Sequence, residues 1–174
     1  VYELDTATRD VAERTIELWI RSAPAAGGDS RERALEHAQQ LVSSGLVDDV
    51  RIREWPRVID RNRRPGRESV TALESFERWA DTAGRRLEPC FRTRRAVSTI
   101  TGESTVVCRP PTVALAEYHD GDLAFVAPSR EDERVVDACD RLEALARESE
   151  SGAEANERTG EANSPDLEAS QANP

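Results

Sequence analysis

The sequence predicts an α+β domain: a mixed sheet with its helices on one face, a ferredoxin-like βαβ start and a C-terminal β-hairpin and helix. Three observations predict it. A strand–helix–strand pattern runs from Arg14 to Trp55. Asp120-Gly121 separates two strand-like runs, which is a strong short-range hairpin signal. Two further apolar stripes at helical spacing stand before and after the strand-rich middle.

Each element follows from its residues. In RTIELWIR, residues 14–21, Ile16, Leu18 and Ile20 alternate with Thr15, Glu17, Trp19 and Arg21, the period of a half-buried strand. Asp29 with Glu32 three residues on resembles a capping box, so Asp29 is expected to cap a helix. Ala34, Leu35, Ala38, Leu41 and Val42 form that helix's buried stripe, and Gly45 ends it. Val50 and Ile52 alternate with Arg51, Arg53 and Trp55 in a second strand, which the βαβ spacing makes parallel to the first. After a loop with a turn at Pro65-Gly66, a helix from Ser69 or Thr71 buries Ala72, Leu73, Phe76, Trp79, Ala80 and Ala83. Strands are expected near Leu87 to Arg94 and Thr105 to Cys108, then from Thr112 to His119 and Asp122 to Ala127 around the Asp-Gly turn. A two-residue turn sets Tyr118 opposite Leu123 and Ala116 opposite Phe125. Ser129 is expected to cap a last helix with Val135, Val136, Cys139, Leu142 and Leu145 buried. Residues 14–147 therefore form one domain, 1–13 a mobile lead, and 148–174, with Leu167 as its one large apolar residue, a disordered acidic tail.

Composition sets the environment. The 174 residues hold 34 acidic groups against 24 basic ones, all arginine, for a net charge of −10. Surface carboxylates keep a chain soluble when salt screens their repulsion, and arginine is the less strongly hydrated cation. Acid excess with no lysine is the pattern expected of a halophile. The three cysteines, Cys90, Cys108 and Cys139, form no C-x-x-C pair, so free thiols in the cytoplasm are expected rather than a disulfide framework or a zinc site. No apolar run is long enough to span a membrane, and no secretory pattern opens the chain. The sequence starts at Val1 and contains no Met, so the true start residue is left open.

The charge is unevenly placed. Between Arg51 and Arg67 stand seven arginines against Glu54 and Asp60, a local +5. The alternating strands set Trp19 and Arg21 beside Arg51, Arg53 and Trp55, on a sheet face that one-sided helices would leave open. Together with Arg57, Arg61, Arg63 and Arg64 these residues make a candidate surface of guanidiniums and indoles, suited to stacking bases and pairing phosphates. The same surface suits a homodimer interface, or the arginines pair with the chain's own carboxylates. In molar salt the Debye length is about 3 Å, so useful contacts there have to be short-range.

Other chemistry is sparse. His37 reads as a solvated helix residue and His119 as a hairpin-tip residue. An enzyme would need a pocket that joins Cys90 to His119 as nucleophile and base. The stretch Thr101-Gly102-Glu103-Ser104 lacks the phosphate-loop pattern. No catalytic residue, metal, cofactor or small-molecule partner is indicated.

The stretches RTIELWIRS, SFERWADTAGRRLEPCFRTR, TGES and VALAEYHDGDLAFVAPS together resemble a family of small haloarchaeal proteins described as helix-turn-helix (HTH) domain-containing. The resemblance covers about residues 14 to 147, and its most specific piece is LAEYHDGDLAFVAP, Leu115 to Pro128. It implies DNA binding and carries no assigned activity. The residue pattern itself leads the first helix into a strand, so a winged arrangement around Asp29 to Trp55 is what such a motif would need here. The expectation is a non-enzymatic regulatory protein that contacts nucleic acid. The alternatives are an interaction or dimerisation module on the same face, and an enzyme.

Overall fold

The computed structural model describes residues 12–22, 28–62 and 67–148. Most of the expected lead and tail, the Pro65-Gly66 turn, Arg63 and Arg64 lie outside them. The chain runs β1 (Arg14–Arg21), α1 (Gly28–Ser43), β2 (Asp49–Trp55), β3 (Ile59–Asp60), α2 (Arg67–Ala83), β4 (Arg92–Val97), β5 (Ser104–Arg109), β6 (Val113–His119), β7 (Asp122–Ala127), β8 (Ser129–Glu131), β9 (Arg134–Val136). A third helix, α3, spans 138–148. The α+β class, the strand–helix–strand start and the C-terminal hairpin and helix are all present.

The main sheet has the order β2-β1-β6-β7. β1 and β2 are parallel, as the βαβ spacing requires, and β6 and β7 continue antiparallel. Ile16, Leu18, Val113 and Leu115 face α1 and α3, whose Ala34, Ala38, Leu41, Leu142 and Leu145 complete one core. The opposite face is not open. Trp19, Ala114, Ala116 and Val126 pack there against Leu73, Phe76 and Ala80 of α2 and against Ile59 and Cys108 of a second sheet, ordered β3-β5-β4. β1 is thus buried on both sides, and Trp19 is 3% exposed. The expected one-sided helix layer fails because α2 carries its own apolar stripe, and the indole face of the sheet is what it buries.

Local chemistry explains the element ends. Gly45 and Gly84 take φ of +72° and +66°, which a side chain would resist. Leu46 N–H reaches Leu41 O at 3.0 Å and Gly45 N–H reaches Val42 O at 3.0 Å, a Schellman closure of α1. α1 starts at Gly28, so Asp29 lies inside its first turn instead of capping it. The expected strand at Leu87 starts later: Leu87 to Phe91 form a turn, and pairing begins at Arg92. Ser129 opens the β8–β9 hairpin, not a helix. The α3 cap is Asp137, whose Oδ1 accepts from Asp140 N–H at 2.8 Å while Asp140 Oδ2 accepts from Asp137 N–H at 3.1 Å. Asp120 and Gly121 take φ of +52° and +87°, the turn expected of Asp-Gly. Tyr118 does face Leu123, but a bulge beside it shifts the rest, so Ala116 opposes Val126 and Glu117 opposes Phe125.

Candidate nucleic-acid interface

The expected arginine-and-indole surface divides into three parts. The indoles are core. Trp55 is 1% exposed, and its ring lies 5.1 Å from Trp19, 6.0 Å from Phe76 and 5.7 Å from Phe91. They offer no stacking platform and no dimer face. Several arginines are spent on the chain's own carboxylates. Arg51 pairs with Asp49 at 3.0 Å, Arg53 bridges Glu17 at 3.6 Å and Glu68 at 3.1 Å, and Arg61 pairs with Glu77. Arg21 and Arg57 differ: among the described residues neither has a carboxylate partner.

Arg21 stands at the end of β1, where its guanidinium donates to Pro110 O at 3.1 Å and to Thr112 Oγ1 at 3.2 Å. The antiparallel pairing of β4 with β5 brings Arg92 directly opposite Arg109. Arg21, Arg92 and Arg109 line one cavity of about 390 Å³, walled by Pro89, Cys90, Pro110 and Pro111. Burial, then the nearby charges of Arg109 and Arg57, hold the Arg21 pKa below its ordinary value. Three cations therefore line one cavity, with Arg57 near enough for its charge to act on Arg21, and among the described residues none of the four is ion-paired to a carboxylate. The carboxylate that acts on Cys90, Asp137, is committed to the α3 cap.

Like charges set opposite each other across strands destabilise a sheet by a few tenths to about 1 kcal/mol. An oxyanion between them would remove that repulsion and gain charge-assisted hydrogen bonds. The cavity supplies donors but no general base. Burial, then Asp137, pushes the Cys90 thiol pKa up, against the opposing pull of Arg130 and Arg92. Cys90 is a protonated wall residue at neutral pH.

The pocket that would have joined Cys90 to His119 does not form. His119 pairs with Arg14 at one end of β1, while Cys90 shares its cavity with Arg21 at the other. Seven residues of strand put them on the order of 20 Å apart. His119 Nε2 instead lies 2.7 Å from Glu117 Oε1. Glu117 is fully buried, and its Oε2 accepts from Arg141 Nε at 2.9 Å and pairs with Arg141 Nη2 at 2.8 Å, while Arg14 stands 3.5 Å from Oε1. His37 is half-buried with its Nδ1 lacking a partner, not solvated as its helical position suggested. All three cysteines are free. Among the described residues no group of three His, Cys, Asp or Glu side chains could hold a metal ion, and no helix is long and apolar enough to cross a membrane.

Arg92 and Arg109 escaped the sequence reading because charge was weighed along a window, and only strand register sets them face to face. The run Arg92, Arg94, Arg95 was the available signal.

A family model described as a helix-turn-helix domain matches residues 8–150. The chain belongs to that helix-turn-helix domain family. No curated protein and no solved structure compared with it matches. Among the described residues no two helices are joined by a short turn: β2 and β3 separate α1 from α2, and six strands separate α2 from α3.

Proposed function

We propose that this chain is a non-enzymatic, cytoplasmic regulatory protein that binds nucleic acid, gripping its phosphates with Arg21, Arg57, Arg92 and Arg109. One observation carries the reading: Arg92 and Arg109 face each other across a sheet with no carboxylate partner among the described residues, in a chain of net charge −10. Carboxylates are plentiful here, and Arg51, Arg53 and Arg61 all find one. A cation cluster left unpaired in such a chain is a site for an anion from outside. Membership of the helix-turn-helix family favours nucleic acid as its source. The contact surface is built on strands, as in β-ribbon readers, and not on a recognition helix.

The acid excess and the lack of lysine support a molar-salt environment, where steering over distance fails and close guanidinium–phosphate contacts carry binding. The test is fluorescence anisotropy with labelled duplex and single-stranded DNA, across a range of KCl concentrations. The double variant Arg92→Ala/Arg109→Ala should lower the magnitude of the log–log salt slope by about 2, one for each lost phosphate contact. Arg51→Ala should bind as the parent does. Removing Arg92 should also leave stability unchanged or raise it by up to about 1 kcal/mol, since it ends a repulsion. Absence of binding at every salt concentration refutes the reading, and equal losses in the Arg51 variant refute the site.

A further inference from the structure

The β4–β5 hairpin goes beyond that cation cluster. Its base is anchored to the domain: β3 pairs with it at Cys108 and Val107, and Thr105 Oγ1 bonds Asp60 Oδ1 at 2.8 Å. Beyond Thr105 no third strand among the described residues supports it: Val97 pairs with Ser104, and residues 98–103 form the tip. From Arg92 to Arg109 the hairpin holds four arginines against Glu103, a local +3. Among the described residues none of the four has a carboxylate partner. Arg94 and Arg95 are both exposed, and strand geometry points them to opposite faces.

Among Ser98, Thr99, Thr101, Glu103 and Ser104 the tip and its closing pair carry two apolar side chains, exposed where folding gives no reason for it. Ile100 is 94% exposed and Val97 63%. Val106, 38% exposed, is a diagonal neighbour of Val97 on the same face of the ribbon. The turn is held by its own hydrogen bonds. Ser98 Oγ accepts from Ile100 N–H at 3.3 Å and Thr101 N–H at 3.2 Å. Gly102 N–H reaches Ser98 O at 2.9 Å, and Ser98 N–H reaches Glu103 O at 2.9 Å. Ile100 is thus presented outward on a fixed backbone.

Resting on the nucleic-acid reading above, we propose that the β4–β5 hairpin is a ribbon arm that enters the minor groove of duplex DNA and wedges Ile100 between two base steps. Arg94 and Arg95 reach the phosphates on either side. Apolar wedges of this kind unstack a step and bend the duplex toward the major groove. A cationic stem with an apolar point fits a groove lined by phosphates. It also fits a chain working in salt, because wedging is apolar and survives screening that weakens the stem contacts.

The experiment uses the full chain with a duplex that carries 2-aminopurine at a central T–A step and a fluorophore pair at its ends. Binding should raise 2-aminopurine emission and shorten the end-to-end distance. Ile100→Ser should cut the emission rise at least ~5-fold and remove the bend, with affinity falling less than ~10-fold because phosphate contacts remain. Ile100→Leu should restore both signals. Arg94→Ala/Arg95→Ala should weaken binding and lower the salt slope by about 2. Tight binding with no emission rise or bend overturns the wedge and leaves the phosphate reading standing, whereas no binding at all overturns both. Ile100-dependent retention on anionic phospholipid vesicles without DNA distortion, or an Ile100-dependent dimer in sedimentation, would also overturn it.

Discussion

Trp55→Ala separates the buried indole of the structure from the stacking surface of the sequence reading. Trp55 is 1% exposed and meets three aromatic rings at centroid distances of 5.1 to 6.0 Å. Truncating a buried Trp to Ala costs about 3–5 kcal/mol, and each aromatic contact adds about 0.5–1.5 kcal/mol beyond its area, so the upper end, about 5 kcal/mol, applies here. That is comparable with the whole stability of a small domain, about 5–15 kcal/mol. Trp55→Phe should behave quite differently. It opens roughly 40 Å³, which at about 24 cal/mol per Å³ costs about 1 kcal/mol, with a similar loss of apolar transfer. Against this, Trp55 Nε1 is buried with no hydrogen-bond partner, and an unmade bond of that kind costs about 1–3 kcal/mol, which phenylalanine does not incur. The two effects nearly cancel, and Trp55→Phe should lie within about 1 kcal/mol of the parent. Urea unfolding at fixed KCl, followed by far-UV circular dichroism, gives both numbers. A Trp55→Ala cost below about 1 kcal/mol would contradict a buried indole. A Trp55→Phe cost of about 2 kcal/mol or more would mean that the indole N–H is satisfied after all.

Two further outcomes follow from buried polar groups. Glu117→Gln should lower stability by about 3 kcal/mol, since it strips a fully buried carboxylate from Arg141 and Arg14; the low end of the range for breaking a buried pair applies because both arginines keep some solvent contact. Calorimetry should show the melting temperature down by roughly 10 °C, and a change under about 2 °C would contradict the burial. Burial, then Glu17, pushes the Tyr118 phenol up to about 12 from 10.0. The folded state holds that proton longer than the unfolded chain, so this stability is fully present below pH 10.0 and lost as pH rises toward 12. Titration of phenolate absorbance should show a step near pH 12 that Tyr118→Phe removes, and a Tyr118 step at the ordinary pH of 10.0 would contradict it.

Local signals in the sequence were the reliable ones. Asp120-Gly121 specified its turn, and Gly45 specified a helix end, because each depends on a positive φ that few residues accept. The βαβ start was legible for the same reason: its periods and spacing lie within one stretch of chain. The errors are tertiary. Alternation in β1 set Trp19 with the polar residues Thr15 and Glu17, and period alone cannot tell an outward indole from one facing a second core. The clue lay elsewhere, in α2: a helix that carries Leu73, Phe76 and Ala80 has to bury them, and one face of the sheet was already taken by α1 and α3. The Ser129 error is similar, since Ser-x-x-Asp at 129 and Asp-x-x-Asp at 137 both resemble caps, and the pairing of Ser129 to Glu131 with Arg134 to Val136 decided between them.

The candidate surface lies away from the arginine run for a physical reason. With more carboxylates than guanidiniums, a run of arginines in sequence says little, because several of them can find an acid nearby in space. Arg51, Arg53 and Arg61 do so. A pair of arginines placed opposite each other by strand register is different. The repulsion is built into the backbone pairing, and a sheet under selection for stability alone would gain from replacing either one. Arg92 and Arg109 therefore argue for a ligand more strongly than the denser island between Arg51 and Arg67. Arg21 matters because it shares a cavity with that pair, and Arg57 because its charge acts on Arg21 and not because it belongs to the island.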